Sequence, residues 1–516
     1  LRRCDVPSKR EVVFLYAMCA RMHTIHSLIA GLDARMLAGE QDSPVRNVIQ
    51  HSERVTEGSF FIARSGVRRD GAAFIEEAIH KGAVAILCTP EVASTLEYLS
   101  VPCVVTHDPT GVGAQIAERF CGDPSKKIKL VGVTGTNGKT TISWMLRHLL
   151  IHADVKCGLL GTVVCDDGLK QVQSKLTTPS FCDTSKILQS MVANGCEVAV
   201  MECSSHALDQ RRTSALTFEI GVFTNLSGDH LDYHGSADAY LRAKLHLFDQ
   251  VTNCSVINMD DPTSWAVADR SNARVVSCRL ESDAASAWVE ILSEKVTGSE
   301  LCLHGPWGDA AVSLPMFGRH NAINALQAAM CAYELGIPIS KIVSGLAVVT
   351  APPGRLERVD GHGATVFVDF AHTDAALEHM LWSVREVLPP GGNLIVVFGC
   401  GGDRDRSKRP RMGHIASTVG DVAFATSDNP RSEDPNIILD EVISGVPRDR
   451  LHCVRRETDR KEAIKSAIAE ADVCDIVVIA GKGHEQTQIL RHEVIPFDDR
   501  KVAAEAMRKH ALENGV

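Results

Sequence analysis

Short apolar runs separated by polar or helical stretches set the pattern of this chain. Between residues 48 and 105, runs at 60–63, 83–88 and 103–106 alternate with stretches such as 74–80, which predicts a small α/β unit. The turn-rich segment Cys121-Gly122-Asp123-Pro124-Ser125-Lys126-Lys127 then leads into an apolar run at 128–133 and marks a first boundary. Beyond it, strand-type runs at 129–134, 198–202, 220–224 and 255–258 are interleaved with helical stretches such as 140–152. Strands that are apolar on both faces and alternate with amphipathic helices imply a parallel sheet covered on both sides. A second boundary falls at Ala351-Pro352-Pro353-Gly354, after which runs at 366–369, 394–398, 422–426 and 476–480 repeat the buried-strand pattern. The expectation is an α/β protein with a doubly wound, phosphate-loop central domain and a Rossmann-like C-terminal domain. Its domains are expected at 22–122, 123–350 and 351–516, behind an extension at 1–21.

Length supports that division, because 516 residues at roughly 100 to 200 per domain make about three. A net charge of -10 excludes bulk nucleic-acid binding, so any phosphate must be caught locally. The 17 cysteines are scattered, form no C-x-x-C pair, and often sit in apolar runs such as Ala85-Ile86-Leu87-Cys88. They read as reduced core thiols, with neither a zinc site nor a disulfide framework. Near the start, Arg2, Arg3, Lys9 and Arg10 precede an apolar run at 12–20 that is short for a signal peptide and lacks a small-residue cleavage site. With leucine at position 1, a functional start near Met18 or Met22 is expected. No other segment approaches the roughly 20 apolar residues that span a bilayer, so a soluble protein is expected.

The most specific local signal is Gly135-Thr136-Asn137-Gly138-Lys139-Thr140-Thr141, after a strand-type run and before a helix. Small residues let backbone N–H groups approach a polyphosphate, a lysine neutralises it, and a hydroxyl ligates a cation. Val133 stands where the strict eight-residue pattern has its first glycine. A second cluster, Met201-Glu202-Cys203-Ser204-Ser205-His206, and a third, from Thr224-Asn225 to Asp229-His230-Leu231-Asp232-Tyr233-His234, both begin where an apolar strand ends. That is the edge at which open α/β sheets bind ligands, so Glu202 and His230 are candidates to meet metal and phosphate.

Together with His320-Asn321-Ala322-Ile323-Asn324, Gly354-Arg355-Leu356-Glu357, Asp369-Phe370-Ala371-His372-Thr373, the stretch 399–410, Asp428-Asn429-Pro430-Arg431 and Gly481-Lys482-Gly483-His484-Glu485, these clusters resemble the motifs of the Mur ligases, in family order. The match covers the chain from about residue 48 to its end. The string Gly399-Cys400-Gly401-Gly402-Asp403-Arg404-Asp405-Arg406 and the tetrad at 428–431 resemble the member that adds the third peptide residue to a UDP-linked peptidoglycan precursor. His51-Ser52-Glu53 stands where the family has Asp-Ser-Arg, and Asp374 stands where it has proline.

The resemblance implies a cytoplasmic, monomeric, ATP-dependent amide-forming ligase using Mg2+, with no nucleic-acid or membrane partner. Lys139, Glu202, His230 and Lys244 would carry the chemistry. Gly135, Thr136, Asn137, Gly138, Lys139, Thr140 and Thr141 would hold ATP with Asn324 and Arg355. Ser52, Arg68, Thr177, Thr178, Ser204, Gln210 and Arg212 would bind UDP-N-acetylmuramoyl-L-Ala-D-Glu. Thr140 and Glu202 would hold one Mg2+, and His230 with a carbamylated Lys244 a second. The acceptor is expected to be meso-diaminopimelate, in a pocket of Arg404, Asp428, Asn429, Pro430, Arg431, Gly481 and Glu485. Its distal carboxylate calls for a guanidinium, which Arg431 supplies, unless Arg431 merely pairs with Glu433 or Asp434. A lysine-adding ligase, a folylpolyglutamate synthase-like ligase and a phosphate-loop switch protein remain as alternatives.

Overall fold

The strands that carry the candidate motifs are apolar on both faces, and each becomes an inner strand of a covered sheet. The structure, a computed structural model, describes residues 23–38, 43–66, 69–96 and 100–513. The expected extension at 1–21, and Arg68, lie outside the described residues. Nearest the N-terminus is a five-stranded sheet in the order Arg35–Ala38, Cys103–Val105, Ala83–Cys88, Ser59–Ile62, Asn47–Ile49, parallel except at its first pairing.

The central sheet has eleven strands, and Lys129–Thr134 lies between Val198–Glu202 and Phe218–Phe223. All three are parallel, with Glu202 opposite Val133 and Phe223 opposite Thr134. Their carboxyl ends therefore finish level, at one edge of the sheet. One face is covered by helices Lys139–His152 and Arg319–Glu334, and the other by Phe181–Ala193, Leu247 and Phe248. The sheet continues where no parallel strand was expected. Ala287–Lys295 pairs in parallel with Arg274–Leu280 and then forms, with Gly298–Gly305 and Gly308–Leu314, two antiparallel hairpins that extend the sheet. Their inward residues alternate with exposed ones, so they lack the uniform apolarity of the parallel strands.

A third sheet has six strands, with Thr365–Asp369, Ile476–Ala480, Leu394–Cys400, Val422–Ser427 and Val454–Arg456 parallel and Glu357–Val359 antiparallel at one edge. Two apolar clusters cover its faces. Where proline was expected, Asp374 opens helix Asp374–Glu386, with Thr373 capping the Ala376 N–H. A first-turn acid suits the helix dipole, and Asp374 also pairs with Arg411. Among the described residues no helix is long and apolar enough to cross a membrane.

Candidate active site

Gly135 and Gly138 shape the loop at the end of Lys129–Thr134. At Gly135 (φ 146°) a Cβ would lie 1.8 Å from Thr224 Oγ1, and at Gly138 (φ 84°) 2.7 Å from Asn324 Oδ1. Glycine is needed at both, sterically and for the positive φ at Gly138. Asn324 is thereby set against the loop. The loop is anchored from the next strand: Thr224 Oγ1 donates to Asn137 O (2.5 Å), and the Asn137 and Thr136 N–H groups donate to Asn225 Oδ1 and O. Lys139 and Thr141 lie in the first turn of the helix behind it.

Lys139 Nζ folds back onto Gly135 O (2.9 Å) and Thr136 O (2.8 Å), while Lys244 Nζ donates to the same Gly135 O at 2.8 Å. Two lysine amines thus share one carbonyl. Burial holds the Lys244 amine well below the usual lysine range, and Lys139 pushes the same way. Burial likewise lowers Lys139, against the opposing pull of Glu202. Lys244 is 1% exposed and sits 4.3 Å from the Tyr240 ring centre.

Glu202 is 1% exposed and accepts from Thr140 Oγ1 (2.9 Å), the Thr162 N–H (2.9 Å) and Thr162 Oγ1 (2.8 Å). Thr162 was not singled out in the sequence. Its signal is Gly161-Thr162 at the end of strand Cys157–Leu160, where a Cβ on Gly161 would lie 2.4 Å from Glu202 Oε1. A hydroxyl and a carboxylate are hard oxygen donors that fit Mg2+, which takes one or two protein groups and completes its shell with phosphate and water. Among the described residues no group of three or more His, Cys, Asp and Glu could hold a metal unaided. His230 (φ 53°) packs edge-on against His206 at 4.7 Å and lies 3.6 Å from Asp229. No hydrogen bond joins it to Thr140 or Glu202 among the described residues.

The hydrogen bonds run on from Glu202 into the residues expected to bind the muramoyl dipeptide. Thr162 Oγ1 lies 3.1 Å from Thr177 Oγ1, and Thr178 Oγ1 donates to Glu202 O at 2.7 Å. The Ser204 N–H donates to Thr178 Oγ1, and Arg212 donates to Thr178 O (2.8 Å) and Gln210 Oε1 (2.7 Å). Ser52 lies in the short turn Ser52–Arg54 that follows strand Asn47–Ile49 of the N-terminal sheet. Two residues on, Arg54 forks onto Asp183 at 2.8 and 3.0 Å and holds that turn against helix Phe181–Ala193.

Arg355 reaches in from the third sheet's side. Its guanidinium lies 5.1 Å from the Phe370 ring centre, and its Nε is buried with no hydrogen-bond partner among the described residues. The neighbouring pocket is built from three loops. Arg431 (φ 52°) donates to Gly402 O at 2.8 Å and Asn429 O at 3.4 Å. It does not pair with Glu433 or Asp434: Glu433 is taken by the fully buried Arg409 at 2.8 Å, which holds its carboxyl down at about 2, and Asp434 caps helix Pro435–Ile443. Gly401 lets Arg431 and Arg404 approach, since a Cβ there would lie 2.9 Å from Arg431 Nη1 and 3.6 Å from Arg404 Cγ. Among the described residues neither guanidinium has a carboxylate partner. Gly481 (φ 116°) closes against Asp428, and Glu485 lies beside Asn429 at 3.0 Å. Lys482, also not singled out in the sequence, is buried between these last two.

Residues 133–332 match the Mur ligase middle domain, and residues 354–483 match the Mur ligase, glutamate ligase domain. A UDP-N-acetylmuramoyl-L-alanyl-D-glutamate--2,6-diaminopimelate ligase of Trichormus variabilis is 40% identical over 90% of this chain and 95% of its own length. One of the same name from Gloeobacter violaceus is 40% identical over 94% of this chain and 98% of its own. A solved structure of a ligase of that name superposes with a TM-score of 0.68 at 29% identity, covering 95% of this chain and 99% of the other. With its phosphate loop, shared Glu202 network and third-sheet pocket in that family's order, the chain belongs to the Mur ligase family.

Proposed function

We propose that the chain joins meso-diaminopimelate to UDP-N-acetylmuramoyl-L-Ala-D-Glu at the expense of ATP. The observation that carries this reading is that Arg404 and Arg431, both against Gly401, have no carboxylate partner among the described residues, while Glu485 lies on Asn429 of the same tetrad. Two guanidiniums without carboxylate partners among the described residues, with a carboxylate on a neighbouring loop, suit an amino acid with more than one carboxylate and a distal ammonium. Lysine would leave Arg431 unpaired in a closed site.

An amine does not displace oxide from a carboxylate, so the D-glutamyl side chain must first be activated. Its oxygen attacks the γ-phosphorus of ATP, the bond to ADP breaks, and an acyl phosphate forms. The amino acid's neutral amine then attacks the acyl carbon, phosphate leaves, and the nitrogen loses a proton. Positioning and charge supply most of the rate. Lys139 exchanges its two loop carbonyls for phosphate oxygens, and Asn324 and Arg355 hold the nucleotide. Thr178, Ser204, Gln210 and Arg212 place the dipeptide, and Ser52 and Arg68 the uridine end. Thr140 and Glu202 would hold one Mg2+, and His230 with a carbamylated Lys244 a second. When bound, the metal supplies charge that offsets repulsion between the polyphosphate and the incoming carboxylate. Burial keeps a neutral fraction of Lys244, the form that can add CO2. On this reading the three sheets are the cores of domains 22–122, 123–350 and 351–516.

Phosphate release by the purified chain tests the reading. It is expected to require ATP, the UDP-muramoyl dipeptide and meso-diaminopimelate together, with one amide formed per phosphate. Release without an amide product would contradict it.

A further inference from the structure

The sequence Gly481-Lys482-Gly483-His484-Glu485 turns back on itself, with Gly481 at φ 116° and Gly483 at φ 52°. The turn places a lysine with no exposed side-chain surface under a partly exposed glutamate. Lys482 Nζ donates to Glu485 Oε2 at 2.8 Å and to Asn429 Oδ1 at 3.0 Å. Asn429 Nδ2 donates to the same Glu485 Oε2 at 3.0 Å, and its Oδ1 also accepts the Ile489 N–H at 3.0 Å. One carboxylate oxygen of Glu485 is therefore locked by two donors. The other, Oε1, takes no hydrogen bond among the described residues.

We infer that Lys482 is a positioning residue for the incoming amino acid, fixing Glu485 so that Oε1 alone faces the ligand's ammonium group. This inference rests on the reading of the pocket given above. A free carboxylate can rotate and can take up a proton as it is desolvated, and either would weaken its hold on an ammonium ion. The buried cation prevents both. Burial pushes the Glu485 carboxyl up, but the hydrogen bond and charge of Lys482 outweigh it and leave the group below its ordinary range. Lys482 itself is covered by Glu485 and Asn429, so it acts through Glu485 and does not bind the amino acid.

Lys482→Met removes the charge and both hydrogen bonds, and Lys482→Gln keeps a donor without the charge. Expected is a rise of about tenfold or more in KM for meso-diaminopimelate, with KM for ATP and for the UDP-muramoyl dipeptide within about twofold of wild type. The acid limb of kcat/KM for the amino acid should move to higher pH, since the Glu485 carboxyl loses the cation that keeps it charged. Glu485→Gln, measured in parallel, separates the two claims. If Glu485→Gln leaves KM for the amino acid unchanged, the pocket reading fails. If Glu485→Gln raises it and the Lys482 variants do not, this inference alone fails. An equal rise in KM for all three substrates would show Lys482 to be structural only and overturn it. Should neither Lys482 variant fold, the wild-type profile decides. An acid limb between about pH 5 and 7 that disappears in Glu485→Gln contradicts the inference, and no such limb supports it.

Discussion

At the residue scale, the chemistry depends on charges held where water cannot screen them. Lys139 and Lys244 donate to one carbonyl; burial lowers the proton affinity of both, and Lys139 lowers that of Lys244 further. A carboxylate built on Lys244 would convert that repulsion into attraction and would supply an oxygen ligand near the phosphate loop. Lys244→Ala is therefore expected to lose most ligase activity and to regain part of it with added formate or acetate, as measured by amide product per minute. Full activity in Lys244→Ala without any carboxylate would rule out the carbamate role. Residues of this kind were legible in the sequence because phosphate chemistry demands a particular string: the loop at 135–141 and the carboxylate after the next strand, Glu202, could be picked out. Thr162 and Lys482 were not, since each acts by hydrogen-bonding a residue brought to it by the fold. A lone threonine carries no pattern of its own, and Lys482, although it lies inside the motif at 481–485, shows its role only once Glu485 and Asn429 are folded against it.

At the scale of elements, the parallel strands were readable because burial on both faces leaves an unbroken apolar run, as in 129–134, 198–202 and 476–480. The hairpins over Ala287–Lys295, Gly298–Gly305 and Gly308–Leu314 were not, because one face meets solvent and the apolar residues are diluted by glutamate, serine and glycine. The sequence also could not say how helix ends meet. His320, in the first turn of Arg319–Glu334, lies 5.7 Å from His379 of helix Asp374–Glu386, a contact between the central and third sheets' helices. Burial, with His379 adding to it, lowers the His320 imidazole from 6.5 to about 4. The unfolded chain takes up this proton near pH 6.5 and the folded chain only near pH 4, so acid favours unfolding across that window. His484, lowered to about 4 by burial and by Arg355, acts in the same direction. The melting temperature should fall as pH drops from 6.5 to about 4, and His320→Gln should make that fall shallower. An identical slope in the variant would show that His320 does not contribute.

At the scale of the molecule, a continuous set of hydrogen bonds joins residues proposed to serve one reaction. Thr140, Glu202 and Thr162 link the phosphate loop to Thr177, and Glu202 O continues through Thr178 to Arg212 and Gln210. The N-terminal sheet is pinned to this array by Arg54 and Asp183, and the third sheet offers Arg355 on one side and the two-arginine pocket on the other. Order along the chain was enough to assign these parts to a family, but not to show that Arg431 stands clear of Glu433. That required seeing Arg409 take the glutamate first. On the proposed reading substrate choice follows from this freedom, because a hydrogen-bonded charge contact of about 1.5 to 3 kcal/mol corresponds to roughly tenfold to a hundredfold in selectivity. The most direct test is kcat/KM for meso-diaminopimelate and for L-lysine, each with ATP and the UDP-muramoyl dipeptide, in the wild type and in Arg431→Ala. The wild type should strongly prefer meso-diaminopimelate, and Arg431→Ala should cut that preference about tenfold or more, chiefly by losing activity on meso-diaminopimelate. A wild-type preference for lysine, or a ratio that Arg431→Ala leaves unchanged, would contradict the assignment.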